Sequence, residues 1–425
     1  MNKYISESLK YLLRSKLFIL HYYRDVQSLY KKSPQNLKDR NEKLFLELFR
    51  YAYTKSPFYN QLYKKAGIQL DDIQKIDDIK KLPIITKDMI REHPEELLTG
   101  AKWKMIKSHT SGTTGTPLQV FIPYSTMWKW QAYLNYYRKG CGFDYGKDKI
   151  VSLRGHLNRK TTHLYIPISK TLFLSSYTLN DNTISDYIKR INYLKPKAIE
   201  GYPSTIVSLC SLIQKNHLKC HIPIIFTSSE TLLSSQRSFI ETVLGGNVYD
   251  HYGNTERTIE LSESYNHDSY FEVPGYSINE FYNDHVITTS LINKGFPLIR
   301  YKVEDVINIK RIDKGETIIS SIDGRAMTYV TGKDGTQFNA AALTYVAKAV
   351  PNIVTMQIIQ NRIGELIINV IPNNDFSEES LKIGLNNIYN RVGKSNMDVT
   401  INTIGEEDLI YTKNKKLSFV INNAK

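Results

Sequence analysis

Apolar positions in this chain first recur at helical spacing. Between residues 36 and 67, NEKLFLELFRYAY sets Leu, Phe and Tyr at three- and four-residue intervals, and QLYKKAG resumes after the turn KSPFYN. KKLPIITKDMIREHPEELL reads as a proline-bounded strand and then a helix start capped around Thr86, Lys87 and Asp88. PLQVFIPY alternates and predicts a strand. STMWKWQAYLNYYRKG predicts a long helix ending at Gly140, its aromatics spaced as core.

From residue 148 short apolar runs alternate with helices. KIVSLRG, KAIEGYP, IPIIFTSSE and GNVYDHYG are strand-then-turn units, separated by helices such as PSTIVSLCSLIQKN and SSQRSFIETVL. That order predicts a largely parallel sheet with ligand sites at the carboxyl ends of its strands. Residues 268–323 instead give successive strands without helices, an antiparallel, barrel-like subdomain. Beyond Gly324 the strands TMQIIQN, GELIINVIP and DVTINTI surround the helix DFSEESLKIGLNNIYNRVG, which makes a small α+β domain. In that helix Asp375 and Glu378 are the expected capping box. Leu381, Leu385, Ile388 and Val392 form the buried face, and Gly393 is the stop.

Composition narrows the class. A chain of 425 residues that is 41% hydrophobic and 23% charged has the balance of a soluble globular protein, with room for a large domain and a smaller one. Cys141, Cys210 and Cys220 have neither disulfide-framework nor metal-ligand spacing, which points to a reducing cytoplasm. Near the start, LFILHYY is the longest uncharged run and is too short to span a bilayer. The segment reads as amphipathic helix packed on the core, with peripheral membrane contact as the alternative. The formal charge of +14 is spread over scattered lysines without a nucleic-acid-binding motif, so the expected anionic partner is a small molecule and not nucleic acid.

The candidate chemistry starts at residues 108–120, SHTSGTTGTPLQV. Hydroxyls on Thr110, Ser111, Thr113 and Thr114, with Gly112 and Gly115 clearing side chains away, suit phosphate oxygens; a flexible linker is the plainer reading. TSSE at 227–230 and DHYGNTE at 250–256 both fall at predicted strand ends, where Glu256 could hold a hard cation through oxygen. Asp305 follows PLIRYKVE, Arg325 follows SIDG, and Lys416 lies in the basic loop YTKNKKLSFV.

In order and spacing, TSGTTGTP, EGYPS, FTSSETL, YGNTE, FPLIRYKVED and the late GR resemble the acyl-adenylate-forming superfamily. Together with RYAYTKSPFYNQLYKKAGI and LPIITKDMI they are most similar to its phenylacetate–CoA ligase and CapK-like branch, over nearly the whole chain. The resemblance implies an α/β adenylate-forming fold. Residues 1–325 would be a large N-terminal domain of sheets flanked by helices, and residues 326–425 a small mobile lid. It implies ATP and Mg²⁺ as cofactors, a carboxylic acid substrate, and CoA, a carrier protein or an amine or sugar as acceptor.

The same resemblance assigns roles. Thr110, Ser111, Gly112, Thr113, Thr114 and Gly115 would hold the β- and γ-phosphates. Ser228, Ser229 and Glu230, with Asp250, His251, Tyr252 and Gly253, would wall the adenine. Thr255 would face the α-phosphate, Glu256 would ligand Mg²⁺, and Asp305 with Arg325 would take the ribose. Lys416 would be the adenylation lysine, while Arg154, His156, Tyr202, Pro203 and Asn254 would line the acid pocket. Three departures stand out: Thr116 replaces a common lysine, Glu304 precedes Asp305, and Met327 and Thr328 stand where hinge acids often follow GR. They leave a nucleotide-binding, non-catalytic scaffold as the alternative.

Overall fold

The computed structural model describes residues 5, 8–9, 11–12, 16–109, 118–155, 157, 161–313, 316–325, 329–339, 350–412 and 416–424. The chain divides into two compact units. One joins Gly146–Asp250 to Ile322–Lys425 and Met1–Ser8; the other joins Leu9–Tyr145 to His251–Ser321.

In the first unit the alternation of strands and helices gives a parallel sheet. Ile150–Arg154 pairs in parallel with Thr171–Ser175 on one side and with Ala198–Gly201 on the other, and Ala198–Gly201 pairs with Ile224–Ser228. His163–Ile166 closes that edge antiparallel to Thr171–Ser175. Helices Asp181–Leu194, Pro203–Lys215 and Ser234–Leu244 bury Ile188, Ile191, Ile206, Ile213 and Ile240 against Val151, Ile199 and Ile225. Each fully buried side chain of this kind contributes roughly 1.5–3 kcal/mol.

The C-terminal part of this unit is the expected α+β arrangement. A four-stranded sheet runs in the order Asp398–Thr403, Glu365–Pro372, Ile353–Gln360, Val420–Asn422, with helix Glu378–Val392 as its companion. Ile388 and Val392 reach the apolar cluster that holds Ile358, Ile368 and Val370. The cap differs from expectation: Ser377, not Asp375, accepts from the Ser380 N–H. Gly393 ends the helix at φ +84°. Within the unit, Ser235 Oγ donates to the Val354 carbonyl at 3.2 Å and Gln236 Nε2 to Thr355 Oγ1 at 3.1 Å. Helix Ser234–Leu244 is thereby fastened to strand Ile353–Gln360.

The second unit opens with helices Lys16–Leu29, Pro34–Lys55 and Pro57–Lys65. The first of these buries Ile19, Val26 and Leu29 against Tyr133, Val273 and Ile292. Ser56 alone breaks the chain between the next two, a tighter turn than KSPFYN suggests. Its N–H donates to the Ala52 carbonyl, and its hydroxyl accepts from the Tyr59 N–H and donates to the Glu96 carbonyl at 2.7 Å. Thr86 caps helix Lys87–Glu92, but the strand expected before it is reduced to one bridge between Ile85 and Tyr301. Gln119–Pro123 forms an antiparallel pair with Met105–His109, and helix Tyr124–Gly140 follows. The strands expected in 268–323 are present and antiparallel. Ser277–Phe281, Val286–Ser290 and Tyr301–Val303 form one three-stranded sheet, and Tyr270–Glu272 lies between Glu260–Glu263 and Glu316–Arg325.

Candidate active site

Strand Ile224–Ser228 of the first unit runs into a turn that its sequence strains. Ser229 sits at φ +71°, a left-handed conformation uncommon for a residue with a side chain. The Ser229 carbonyl accepts from Lys416 Nζ at 3.4 Å, and the same ammonium lies 5.1 Å from the centroid of the Tyr202 ring. Arg154, the last residue of its strand, stands 5.9 Å from that ring and donates from Nη2 to Ser228 Oγ at 3.4 Å. Glu230 ties the group together. Its Oε2 accepts from the Ser204 N–H at 3.1 Å and its Oε1 from the Leu417 N–H at 2.9 Å. Burial raises the Glu230 carboxyl above its ordinary value, while the Ser204 and Leu417 donors and the Lys416 charge oppose that rise. Pro203 opens helix Pro203–Lys215 directly behind Tyr202, and buried Asp250 accepts from the Thr227 hydroxyl at 2.7 Å.

Strand Asn247–Gly253 carries Asp250 at the end of the first unit and His251, Tyr252 and Gly253 at the start of the second stretch of the other. In that second unit the Tyr252 hydroxyl donates to Asp305 Oδ2 at 2.6 Å. Gly253 is required by space: a Cβ there would lie 2.4 Å from Glu260 Oε2. Asn254 spends both ends of its amide on Thr258, so it shapes the turn that displays half-buried Thr255. Glu256 is buried and accepts from the Tyr301 hydroxyl at 2.9 Å. Burial raises the Glu256 carboxyl, offset by the Tyr301 bond and the charge of Lys87. Lys87 itself pairs with Glu304 at 2.5 Å.

Among the described residues no group of three or more His, Cys, Asp or Glu side chains could hold a metal. A Mg²⁺ that arrives on a nucleotide needs only one or two carboxylates, its other positions being filled by water and phosphate oxygens. A single buried carboxylate that accepts from a tyrosine hydroxyl and feels the charge of Lys87 fits that demand.

Several expected site residues lie outside the described residues: Thr110, Ser111, Gly112, Thr113, Thr114, Gly115 and His156; so do the departures Thr116, Met327 and Thr328 and the neighbouring lysines Lys413 and Lys415. Arg325 closes strand Glu316–Arg325, and its side chain is likewise outside that set. Sequence reading passed over Lys87 and Tyr301 as site residues. Lys87 had a signal, since it sits in ITKDM at the start of a capped helix, while Tyr301 is separated from Glu256 by 45 positions.

Residues 330–423 match the family described as CapK C-terminal domain. The chain is 25% identical to Protein CapK of Staphylococcus aureus over 402 residues, covering 89% of this chain and 88% of that protein. It is 21% identical to phenylacetate-coenzyme A ligase of Pseudomonas putida, where the match spans 61% of this chain and 64% of the ligase, less than two thirds of its length. The structure resembles 2-hydroxyisobutyryl-CoA ligase in its postadenylation state, in complex with an acyl-AMP, with a TM-score of 0.68, 16% identity and coverage of 91% of this chain and 89% of that one. The fold is therefore that of the acyl-adenylate-forming ligases. Within that superfamily the chain is similar in sequence to the CapK and phenylacetate-coenzyme A ligase proteins, and residues 330–423 carry the CapK C-terminal domain match. Among the described residues no helix is long and apolar enough to cross a membrane.

Proposed function

We propose that this chain is a cytoplasmic AMP-forming ligase that activates a carboxylic or amino acid with ATP and passes the acyl group to a thiol or amine. The observation that carries this reading is the seating of Lys416 on Tyr202 and the Ser229 carbonyl, next to a Glu230 that bridges Ser204 and Leu417. These are the family's signature segments, and they converge on one lysine.

In the first half-reaction an oxygen of the substrate carboxylate attacks the α-phosphorus. The bond from that phosphorus to the bridging oxygen breaks, and pyrophosphate leaves with the electron pair. Lys416 neutralises charge that builds on the phosphoryl oxygens, a form of electrostatic catalysis that needs the ammonium positioned beforehand. Glu256 would hold Mg²⁺, which supplies Lewis-acid charge to the phosphates. Asp305, oriented by Tyr252, accepts from the ribose hydroxyls with Arg325 assisting, and the 110–115 loop receives the outer phosphates. Ser228, Ser229, Glu230, Asp250 and His251 wall the base, while Arg154, His156, Tyr202, Pro203 and Asn254 surround the acid. In the second half-reaction the acceptor's sulfur or nitrogen attacks the acyl carbon, and AMP leaves. Resemblance to CapK supports a place in polysaccharide or cell-envelope assembly, and the 326–425 segment as a mobile lid.

The test is acid-dependent exchange of labelled pyrophosphate into ATP across a panel of carboxylic and amino acids. Exchange with at least one acid is expected. A folded, ATP-binding protein that exchanges with none would favour the scaffold reading. Glu304, one of the departures that favour a scaffold, is the ion-pair partner of Lys87, a role compatible with a working site.

A further inference from the structure

The second unit contains a cavity of about 140 Å³ lined by none of the candidate active-site residues. Helix Lys16–Leu29 supplies Tyr22, Asp25 and Val26 to its wall; helix Pro34–Lys55 adds Arg40 and Leu44, and helix Tyr124–Gly140 adds Lys129 and Tyr133. Lys294 stands at its edge. Three cations thus share a small space with one carboxylate.

The pairing is incomplete. Arg40 Nη2 meets Asp25 Oδ2 at 3.2 Å, but Arg40 Nη1 is buried without a hydrogen-bond partner among the described residues. Gly275 makes room for that nitrogen, since a Cβ there would sit 2.7 Å from it. Lys294 reaches Glu47 at 3.3 Å. Lys129 is half-buried, has no carboxylate within ion-pair distance among the described residues, and lies 5.9 Å from the Tyr22 ring. Burial lowers the Lys129 ammonium's pKa, with Lys294 and Arg40 adding to the effect against the pull of Asp25. A half-buried cation that two others repel is costly unless an anion joins it. Arg40, Lys129 and Lys294 against Asp25 leave two positive charges, or one when Glu47 is counted. A phosphate monoester, with a charge near −1.5 to −2 at neutral pH and three acceptor oxygens, suits the two-charge excess of the cavity wall and can offer an acceptor to each of the three cations. The volume equals about four or five water molecules, room for a phosphate group and a few atoms of its ester. Val26, Leu44 and Leu291 give those atoms an apolar wall.

We propose that Arg40, Lys129 and Lys294 form a binding site for a phosphate monoester, separate from the nucleotide-binding segments. The ester has two sources. It is a soluble metabolite, or it is the headgroup of a lipid reached through the same helix, whose Phe18 and Leu20 are exposed.

The test uses the full chain with inorganic phosphate as probe, at a saturating non-hydrolysable ATP analogue so that the outer-phosphate subsites are filled as well. Phosphate should bind the wild type and raise its melting temperature by mass action. Lys129→Met should weaken that binding about tenfold, as expected for loss of one charge-assisted contact. Without phosphate this variant should melt no lower than the wild type, because an uncompensated cation has gone. Lys294→Met, at an exposed position, should weaken phosphate binding while folding normally. Pyrophosphate exchange should be unchanged in both. Sedimentation with phosphatidylcholine vesicles, with and without phosphatidic acid, separates the sources. Binding only with phosphatidic acid, lost in Lys129→Met, supports the headgroup, and phosphate binding without it supports a soluble ester. Phosphate affinity equal to wild type in both variants, or no phosphate binding by the wild type together with no phosphatidic-acid-dependent sedimentation, overturns the site.

Discussion

At the scale of single residues, two buried carboxylates that lie close in sequence contrast: Glu256, the proposed metal ligand, and Glu260. If Glu256 meets a metal as proposed it must be charged there, and the Tyr301 hydroxyl favours that form. Tyr301→Phe removes that donor with little change of shape. It should raise the Glu256 carboxyl further, move the acid limb of the pyrophosphate-exchange profile to higher pH, and weaken the Mg²⁺ dependence by roughly 10-fold or more. A profile and a Mg²⁺ titration that overlay those of the wild type would remove Glu256 from the metal's coordination. Glu260 is the contrasting case. Burial pushes its carboxyl from 4.5 up to about 7, against the opposing effects of Arg257, the Trp130 N–H at 3.2 Å and Arg138. A raised carboxyl binds its proton more tightly in the folded chain, so Glu260's contribution to stability is fully present below about pH 4.5 and is lost as pH rises through about 7. Glu260→Gln should flatten that decline, which urea unfolding at pH 5 and pH 8 would measure. The difference in slope should be of order 1–3 kcal/mol across the window. Equal slopes in the two proteins would mean that Glu260 ionises freely.

At the scale of elements, the sequence was legible wherever a local rule decides. Apolar spacing marked the helices Pro34–Lys55 and Glu378–Val392, and short β-branched runs marked the strands Ile224–Ser228 and Glu365–Pro372. Boundaries were less legible because neighbouring polar residues compete for the same backbone groups. DFSEES offers two caps, Asp375 and Ser377. The chain uses Ser377, while the Asp375 N–H goes to Asn373. Ser377→Ala should therefore cost about 1 kcal/mol, and Asp375→Ala clearly less, in a denaturant titration. The reverse order would return the cap to Asp375. The run LPIITK has the composition of a strand, yet only Ile85 finds a partner, since pairing needs a second edge that no local pattern reveals. Tyr301 was invisible as a site residue for the same reason.

At the scale of the whole molecule, the alternation of strands and helices marked the architecture, and signature segments supplied the candidate site residues. What the pattern could not supply was contact across long separations. Lys416 and Ser229 stand 187 positions apart, and nothing local announces that they meet. The register of the basic loop was correspondingly open, with Lys413, Lys415 and Lys416 all available in YTKNKKLSFV. The seating of Lys416 over Tyr202, with its neighbour Leu417 bonded to Glu230, argues for the last of these. If this ammonium serves the phosphoryl-transfer step, its loss should be selective. Lys416→Ala should reduce adenylate formation by about 10²-fold or more, as for removal of other preorganised charge stabilisers, and should leave ATP binding intact. Given a synthetic acyl-adenylate, the variant should transfer the acyl group at close to the normal rate, because no phosphoryl charge builds in that step that requires Lys416. Equal loss in both half-reactions would point instead to a folding defect, which the Leu417–Glu230 bond makes a real alternative. Circular dichroism and a melting curve on the same sample separate that case. A selective defect in Lys415→Ala and none in Lys416→Ala would move the catalytic ammonium by one residue and leave Lys416 as a latch on the Ser229 turn.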